Sequence, residues 1–243
     1  MNGISVVLPA YMEEENLKAI LPKIREYLKE KDFEIIIVDT QQPMDNTKLV
    51  CEENGCRYLP RTGGEYYGDA IRTGIDGAKK EYTVIMDADG SHDPMDILRF
   101  YEEMESGKWD LIIGSRYCKG GNTCNTWILR AMSRVLNMVY KLAFRLSVED
   151  VSDSFRMYKT SQLKKLELHC QNFDIVEEIL ILLTTYNKEF RIKEVPIVFN
   201  KRAAGKSKRN LLKYIFSYLT TMRTLLKRQS AAKKEISEKN NEK

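Results

Sequence analysis

Short apolar runs and amphipathic stretches alternate through the first half of the chain. Ile4-Ser5-Val6-Val7-Leu8 is an apolar run closed by Pro9, which predicts a buried strand. Between Glu13 and Lys29 the residues Leu17, Ile20, Leu21, Ile24 and Leu28 recur at intervals of three and four, the spacing of one helix face. Glu34-Ile35-Ile36-Ile37-Val38 predicts a second buried strand, ended by Asp39, with a short helix from Asp45. Cys56-Arg57-Tyr58-Leu59 reads as a third strand, Gly63-Gly64 as a loop and Gly68 to Lys79 as a helix. Tyr82 to Met86 is a fourth strand ended by Asp87, followed by a helix from Pro94 to Ser106 and a strand at Leu111-Ile112-Ile113-Gly114. Strands this apolar, alternating with helices, predict an α/β fold with a parallel sheet covered on both faces. Ligands of such sheets sit beyond the carboxyl ends of the strands. The polar groups there are Pro9-Ala10-Tyr11, Asp39, Arg61, Asp87-Ala88-Asp89 and Ser115-Arg116.

The second half has longer periods. Thr126 to Leu146 predicts one long helix carrying Ile128, Leu129, Met132, Val135, Leu136, Val139, Leu142 and Ala143, punctuated by Arg130, Arg134, Lys141 and Arg145. Ser154 to Tyr158 reads as a short strand, Asp174 to Tyr186 as a helix and Ile192 to Phe199 as a strand. Residues 203–209 are small and basic, and Asn210 to Lys227 predicts a helix rich in Leu, Tyr, Ile and Phe. The expected organisation is one domain over 1–209, an amphipathic basic helix over 210–228 and a disordered charged tail over 229–243.

Composition changes this picture at one end. With 43% hydrophobic and 30% charged residues, the chain of 243 is an ordinary globular one. Its net charge of +4 is unevenly spread: residues 200–243 carry 13 Lys or Arg against 3 Glu, so +10 sits there and −6 on the rest. A basic end predicts an anionic partner, nucleic acid or an anionic membrane surface. Nucleic acid does not account for acidic groups at the strand ends and is set aside. The N-terminus enters the first strand with no basic leader, so no signal peptide is expected. No apolar run approaches membrane-spanning length, so no span is expected. Five cysteines without zinc-ligand spacing predict reduced thiols in a cytosolic setting.

Asp87-Ala88-Asp89 is the strongest chemical signal. Two carboxylates one residue apart, directly after a buried strand, suit a hard divalent cation such as Mg²⁺ or Mn²⁺, which bridges carboxylates to substrate phosphates. The same pair could instead cap the helix at Pro94. Asp39, ending the second strand, stands where a base or ribose is recognised, and reads equally as a turn former before Pro43.

Several segments in order resemble family 2 glycosyltransferases. They are Val7-Leu8-Pro9-Ala10-Tyr11-Met12-Glu13-Glu14, Ile37-Val38-Asp39, Gly68-Asp69-Ala70-Ile71-Arg72-Thr73-Gly74, Met86 to Pro94, Gly114-Ser115-Arg116-Tyr117 and Ser152 to Tyr158. The branch they are most similar to is the dolichyl- or polyprenyl-phosphate mannosyltransferases. The resemblance implies a GT-A fold, a Rossmann-like and mostly parallel sheet, and inverting transfer of a hexose from GDP-mannose or a UDP-sugar to a polyprenyl phosphate. It implies donor contacts from Pro9, Ala10, Tyr11, Glu13, Asp39, Asp69, Asp87, Ala88 and Asp89, and a metal held by Asp87, Asp89 and Ser91. Catalytic roles fall to Asp89, Arg116, Arg130 and Arg156. The acceptor phosphate falls to Arg130, Arg134, Arg156, Arg202, Ser207 and Lys208, with Gly205 in the same basic loop. Each arginine could also be a surface charge.

Two places depart from the family. Met12 stands where Asn is usual, and Thr40-Gln41-Gln42-Pro43-Met44-Asp45 replaces a shorter Asp-Gly-Ser-acidic segment, which leaves the nucleotide open. A lipid acceptor implies work at the cytoplasmic face of a membrane, with Asn210–Lys227 and then Thr126–Leu146 as interfacial helices. Both could equally pack on the body or form a homodimer, and a membrane subunit is a further partner. The competing readings are a soluble glycan or envelope polysaccharide acceptor, and an inactive binding subunit.

Overall fold

The computed structural model describes residues 2–187, 189–204, 218 and 220–231. Its elements are β1 (Ile4–Pro9), α1 (Glu14–Leu28), β2 (Phe33–Asp39), α2 (Thr47–Glu53), β3 (Arg57–Pro60), α3 (Tyr67–Gly77), β4 (Tyr82–Ile85), α4 (Asp96–Glu105) and β5 (Leu111–Ser115). There follow β6 (Asn122–Thr123), α5 (Trp127–Phe144), β7 (Arg156–Lys159), α6 (Thr160–Leu163), α7 (Ile175–Tyr186), β8 (Ile192–Pro196) and β9 (Val198–Phe199). A last helix, α8, runs through residues 218 and 220–231.

The sheet order is β3-β2-β1-β4-β7-β5-β8. Strands β1 to β4 pair in parallel, and so do β5 and β8. The mostly parallel α/β sheet therefore stands, with one exception: β7 runs antiparallel between β4 and β5. That reversal matters for the site. Arg156, the first residue of β7, pairs with Ile85 and Ile113, so Ser152-Asp153-Ser154 arrive at the carboxyl ends of β4 and β5. The expected strand Ile192–Phe199 is two. Pro196 ends the ladder with β5, and Val198-Phe199 pairs instead with Asn122-Thr123.

Strand β1 is buried along its whole length because both its faces are covered. Ile4, Val6 and Leu8 pack with α1 residues Leu17, Leu21 and Ile24 on one side. Val7 packs with Ile36, Val38 and Ala70 of α3 on the other. Each of these aliphatic side chains contributes about 1.5–3 kcal/mol by leaving water, and Leu21→Ala would cost about 2–5 kcal/mol. A second core joins α3, α5, α7 and β5 through Ile75, Tyr140, Phe144, Ile179 and Ile113.

The C-terminal expectations change. Residues 210–217 of the helix anticipated at Asn210–Lys227 lie outside the described residues. The described part does not present an apolar face: Tyr218 and Leu225 are buried against the second core, while Thr220, Arg223, Thr224 and Lys227 face out. It is tied down by Tyr140 donating to the Tyr218 carbonyl at 3.1 Å, Thr221 to the Asp174 carboxylate and Arg228 to Glu178. Residues 229–231 of the anticipated disordered tail are helical instead, and Gln229 donates to Thr185 Oγ1 at 3.2 Å. Residues 232–243 lie outside the described residues. Among the described residues no helix is long and apolar enough to cross a membrane, and all five cysteines are free thiols.

Candidate functional site

Strand β4 ends at Ile85, and the chain turns through Asp87-Ala88-Asp89 with Gly90 at φ 78°. A left-handed φ suits glycine here, and a Cβ would also stand 3.1 Å from that of Ala203. The turn is held from three sides. The Asp87 amide donates to His92 Nδ1 at 3.3 Å, and its carboxylate accepts from Ser154 Oγ at 3.0 Å and Tyr67 OH at 3.3 Å. Asp89 Oδ1 accepts from the Ser91 amide at 3.0 Å and Ser91 Oγ at 2.5 Å. Arg202 reaches Asp89 Oδ2 at 3.4 Å while donating to Glu13 at 2.8 and 3.0 Å. Burial alone would raise the Asp89 pKa, but the Ser91 hydrogen bonds and the Arg202 charge outweigh it and lower it.

These donors suit a hard cation. Asp87 and Asp89 supply carboxylate oxygens one residue apart, and among the described residues no group of three or more His, Cys, Asp or Glu is placed to hold a metal ion. Two carboxylates with the remaining positions left to water and phosphate is how Mg²⁺ is commonly held. Ser91, expected as a third ligand, donates its hydroxyl to Asp89 and so orients that carboxylate, with its oxygen lone pairs left over.

Behind the turn lies a chain of buried charges of which sequence reading singled out only Arg116. His92 is fully buried, its ring stacked on Phe155 at 4.7 Å and its Nε2 3.2 Å from Asp153 Oδ1. Asp153 Oδ2 lies 3.0 Å from Arg116 Nε. Arg116 forks onto Asp150 through Nε at 2.8 Å and Nη2 at 2.7 Å, with its own amide adding a third bond at 2.9 Å. Nη2 also reaches Ser152 Oγ at 2.9 Å. Burial would lower the Arg116 pKa, yet the two carboxylates hold it well above the ordinary value. Burial would raise Asp153, and the Arg116 and His92 charges keep it below the usual range. Arg116 is thus neutralised by two carboxylates and acts as a rigid strut more than as a free anion receptor. The signal available in the sequence was the acidic spacing Glu149-Asp150-Val151-Ser152-Asp153 just before β7.

A cavity of about 1040 Å³ opens over this turn. Of the anticipated residues, Pro9, Ala10, Tyr11, Glu13, Asp87, Ala88, Asp89, Ser91, Arg116 and Arg202 line it. Arg61, noted at a strand end, lines it too, bonded through Nη2 to the Ala10 carbonyl at 2.5 Å. The opposite wall is apolar: Leu129, Met132, Leu136 and Val139 of α5, Phe173, and Tyr218 and Met222 of α8.

Five anticipated residues are not brought to the cavity. Asp69 accepts from the Tyr66 amide at 2.9 Å and from Arg72 at 2.7 Å, so it stabilises the first turn of α3. Asp39 is buried and accepts from the Thr40 amide at 2.8 Å and Tyr58 OH at 3.2 Å; burial raises its pKa despite those bonds. Arg156 is wholly buried, donating to the carbonyls of Val151 at 2.5 Å and Val176 at 3.1 Å. The pleat of β7 aims it at Val151 and Val176 of the second core, and it does not line the cavity. Arg130 and Arg134 are exposed on another face of α5; Arg130 donates to the Thr123 carbonyl at 2.6 Å and Arg134 lies over the Tyr117 ring at 5.3 Å. Gly205, Ser207 and Lys208 lie outside the described residues.

The two departures acquire a geometry. Met12 adopts φ 56°, the left-handed region that Asn tolerates better than Met. Asp45, at the end of the altered segment, accepts from the amides of Glu14 and Thr47, both at 3.0 Å, and so fixes the entries of α1 and α2.

Comparison with known proteins converges on one family. The sequence pattern of Glycosyl transferase family 2 matches residues 5–167. A dolichol-phosphate mannosyltransferase of Pyrococcus furiosus is 33% identical over 92% of this chain, and the chain spans 64% of that protein's length. A polyprenol monophosphomannose synthase of Mycolicibacterium smegmatis is 30% identical over 84% of the chain and 79% of that protein. Among solved structures, glucosyl-3-phosphoglycerate synthase of Mycobacterium tuberculosis with Mn²⁺, UDP and glucosyl-3-phosphoglycerate superimposes with TM-score 0.73 at 18% identity, over 94% of this chain and 80% of that one. Its complex with Mg²⁺ and UDP gives 0.72 at 17% identity with the same coverage. At such identity the likeness is one of fold, a GT-A arrangement.

Proposed function

The chain belongs to glycosyltransferase family 2, and from that premise we propose that it is an inverting enzyme moving a hexose, mannose in the first instance, from a nucleotide sugar to a polyprenyl phosphate. The observation that carries this reading is the two-ended cavity, with Asp87, Asp89 and Arg202 at one end and the α5–α8 apolar wall at the other. A diphosphate suits the first end and isoprenoid units the second. A soluble glycan would leave the apolar wall wet. The relatives named for lipid-phosphate mannosyl transfer support the same choice.

The chemistry asks little of a general base. A lipid monophosphate is mostly dianionic at neutral pH, its second pKa being about 6, and is already a nucleophile. Catalysis then consists of positioning two anions and stabilising the leaving diphosphate. A Mg²⁺ or Mn²⁺ ion held by Asp87 and Asp89 would supply Lewis-acid neutralisation of that diphosphate. Ser91 keeps the Asp89 carboxylate oriented, and Ser154 and Tyr67 do the same for Asp87. Arg202, shared between Glu13 and Asp89, is a cation at the turn, and its 27% exposed side chain, against 9% for Arg116, leaves it able to take a phosphate. The His92–Asp153–Arg116–Asp150 chain keeps the turn rigid from behind. A peripheral position at the cytoplasmic face of a membrane belongs to the same reading.

The test is a panel of GDP- and UDP-hexoses with polyprenyl phosphate and Mg²⁺ or Mn²⁺, scored for sugar-lipid product. Asp87→Ala and Asp89→Ala should each lose at least about 10²-fold in transfer, the scale of removing one electrostatic stabiliser, with unchanged far-UV circular dichroism. Full activity in either variant would sink the metal assignment. Product with phosphoglyceric acid but none with polyprenyl phosphate would sink the lipid acceptor.

A further inference from the structure

Tyr67 belongs to both ends of the cavity. It is the first residue of α3, and its hydroxyl donates to Asp87 Oδ1 at 3.3 Å. Its ring stacks on Phe173, with centroids 4.2 Å apart and planes 26° from parallel. Both rings line the cavity, Phe173 in the apolar wall. The platform under them is fixed. The Gly68 amide donates to the Gln171 carbonyl at 2.7 Å, and a Cβ on Gly68 would stand 2.2 Å from the Cys170 carbonyl oxygen, so the start of α3 lies directly on residues 170–173. Arg72 donates to that Cys170 carbonyl at 2.7 Å, and Glu178 accepts from the His169 and Cys170 amides. The other hydroxyl on Asp87 Oδ1 comes from Ser154 at 3.0 Å, and Ser154 does not line the cavity. The Tyr67 bond is the longer of the two. Bonds between a hydroxyl and an oxygen are commonly about 2.7–2.8 Å, so this one can shorten by about 0.5 Å.

We propose that Tyr67 is a positioning residue through which the acceptor strengthens the hold on the metal: an isoprenoid phosphate seated on Tyr67 and Phe173 fixes the Tyr67 hydroxyl on Asp87 and so tightens a divalent cation at Asp87 and Asp89. This rests on the lipid-acceptor reading and on the metal assignment made above. One face of the Tyr67 ring is taken by Phe173. A chain packing against Tyr67 therefore meets its edge or its other face and holds the hydroxyl beside Asp87. A carboxylate already ordered by one ligand costs the next ligand less to order, which is positive coupling. The coupling is reciprocal, so the factor by which the acceptor tightens the cation is the factor by which the cation tightens the acceptor. A site that grips its metal fully only with the acceptor in place protects the nucleotide sugar from loss to water.

The experiment is a Mn²⁺ titration of the full chain read by electron paramagnetic resonance, with GDP or UDP present and farnesyl phosphate or ethyl phosphate added in turn. In the wild type farnesyl phosphate should tighten Mn²⁺ about fivefold, the lower end of typical coupling. Ethyl phosphate, which has the headgroup without the chain, should not. Tyr67→Phe keeps the ring and its stack. It should bind Mn²⁺ about three- to tenfold more weakly, the scale of one net hydrogen bond, and gain nothing from farnesyl phosphate. Ser154→Ala should weaken Mn²⁺ on the same scale yet keep the whole gain, because Ser154 is not part of the wall. A Tyr67→Phe protein that retains the gain would overturn the proposal. So would Ser154→Ala losing the gain to the same extent, which would make it a general effect of loosening Asp87. A wild type that glycosylates farnesyl phosphate while its Mn²⁺ affinity ignores that compound would overturn this inference alone. Farnesyl phosphate that neither accepts sugar nor alters Mn²⁺ binding would overturn the acceptor assignment and this inference with it.

Discussion

Replacing Asp150 with alanine removes the bidentate partner of Arg116 and isolates the effect of one buried charge. Asp150 is fully buried and accepts from Arg116 at Nε, Nη2 and the amide, and from Asn137 Nδ2 at 3.3 Å. Stripping one partner from a buried ion pair costs about 3–5 kcal/mol, because the remaining charge stays desolvated. Asp153 still stands 3.0 Å from Arg116 Nε, so the lower end, about 3 kcal/mol, is expected. With a urea m-value of about 2–3 kcal/mol/M, the midpoint should fall by about 1–1.5 M at unchanged m. The neighbour is the control. Glu149 pairs with Lys141 at the surface, and Glu149→Ala should cost no more than about 0.5 kcal/mol. Asp150→Asn, which keeps shape and an acceptor but drops the charge, should fall between the two. If Asp150→Ala unfolds within about 1 kcal/mol of the wild type, an ordinary substitution effect, the account of Arg116 as a strut locked by two carboxylates is wrong.

Met12→Asn should stabilise the protein by about 1 kcal/mol, because a left-handed φ of 56° costs an ordinary side chain about 1–2 kcal/mol and asparagine less; thermal unfolding checks it, and no gain would mean that other contacts of Met12 compensate. Glu177 is buried, which pushes its pKa from 4.5 to about 8 although the Arg156 charge pulls the other way. The folded state therefore holds a proton that the unfolded chain releases, so stability is greatest below about pH 4.5 for this group and declines as pH rises to about 8. Glu177→Gln should flatten that decline, whose limiting slope is about 1.4 kcal/mol per pH unit; parallel stability–pH profiles of the two proteins would refute it.

The distance over which information had to travel separates what was legible from what was not. Local periodicity sufficed for β1 to β5 and the helices between them, because burial on both faces of a parallel sheet writes itself into each strand as an apolar run. The Asp87-Ala88-Asp89 turn was legible for the same reason: it follows the end of such a run. The family resemblance added the identities around the cavity, and Pro9, Tyr11, Glu13, Asp89 and Arg202 do line it. Arg156, Asp69, Arg130 and Arg134 were anticipated at the site and lie elsewhere, since a residue's place along an element does not say which way the element faces. Arg156 stands opposite Ile85 and Ile113 at the site end of the sheet, and the pleat there aims its side chain at the Val151 and Val176 carbonyls instead of the cavity. The apolar face of α8 met a similar fate: amphipathicity announces that a face will be covered, not by what, and Tyr218 and Leu225 went to the core while Trp127 and Leu142 of α5 stayed exposed. What the sequence by itself determined was the alternation of elements and the acidic turn at a strand end, both consequences of short-range patterning. What only the tertiary structure decided was the partner of each buried charge. His92 meets Asp153, and Arg116 meets Asp150, across separations of 61 and 34 residues, and pairing across such spans is set by packing in three dimensions.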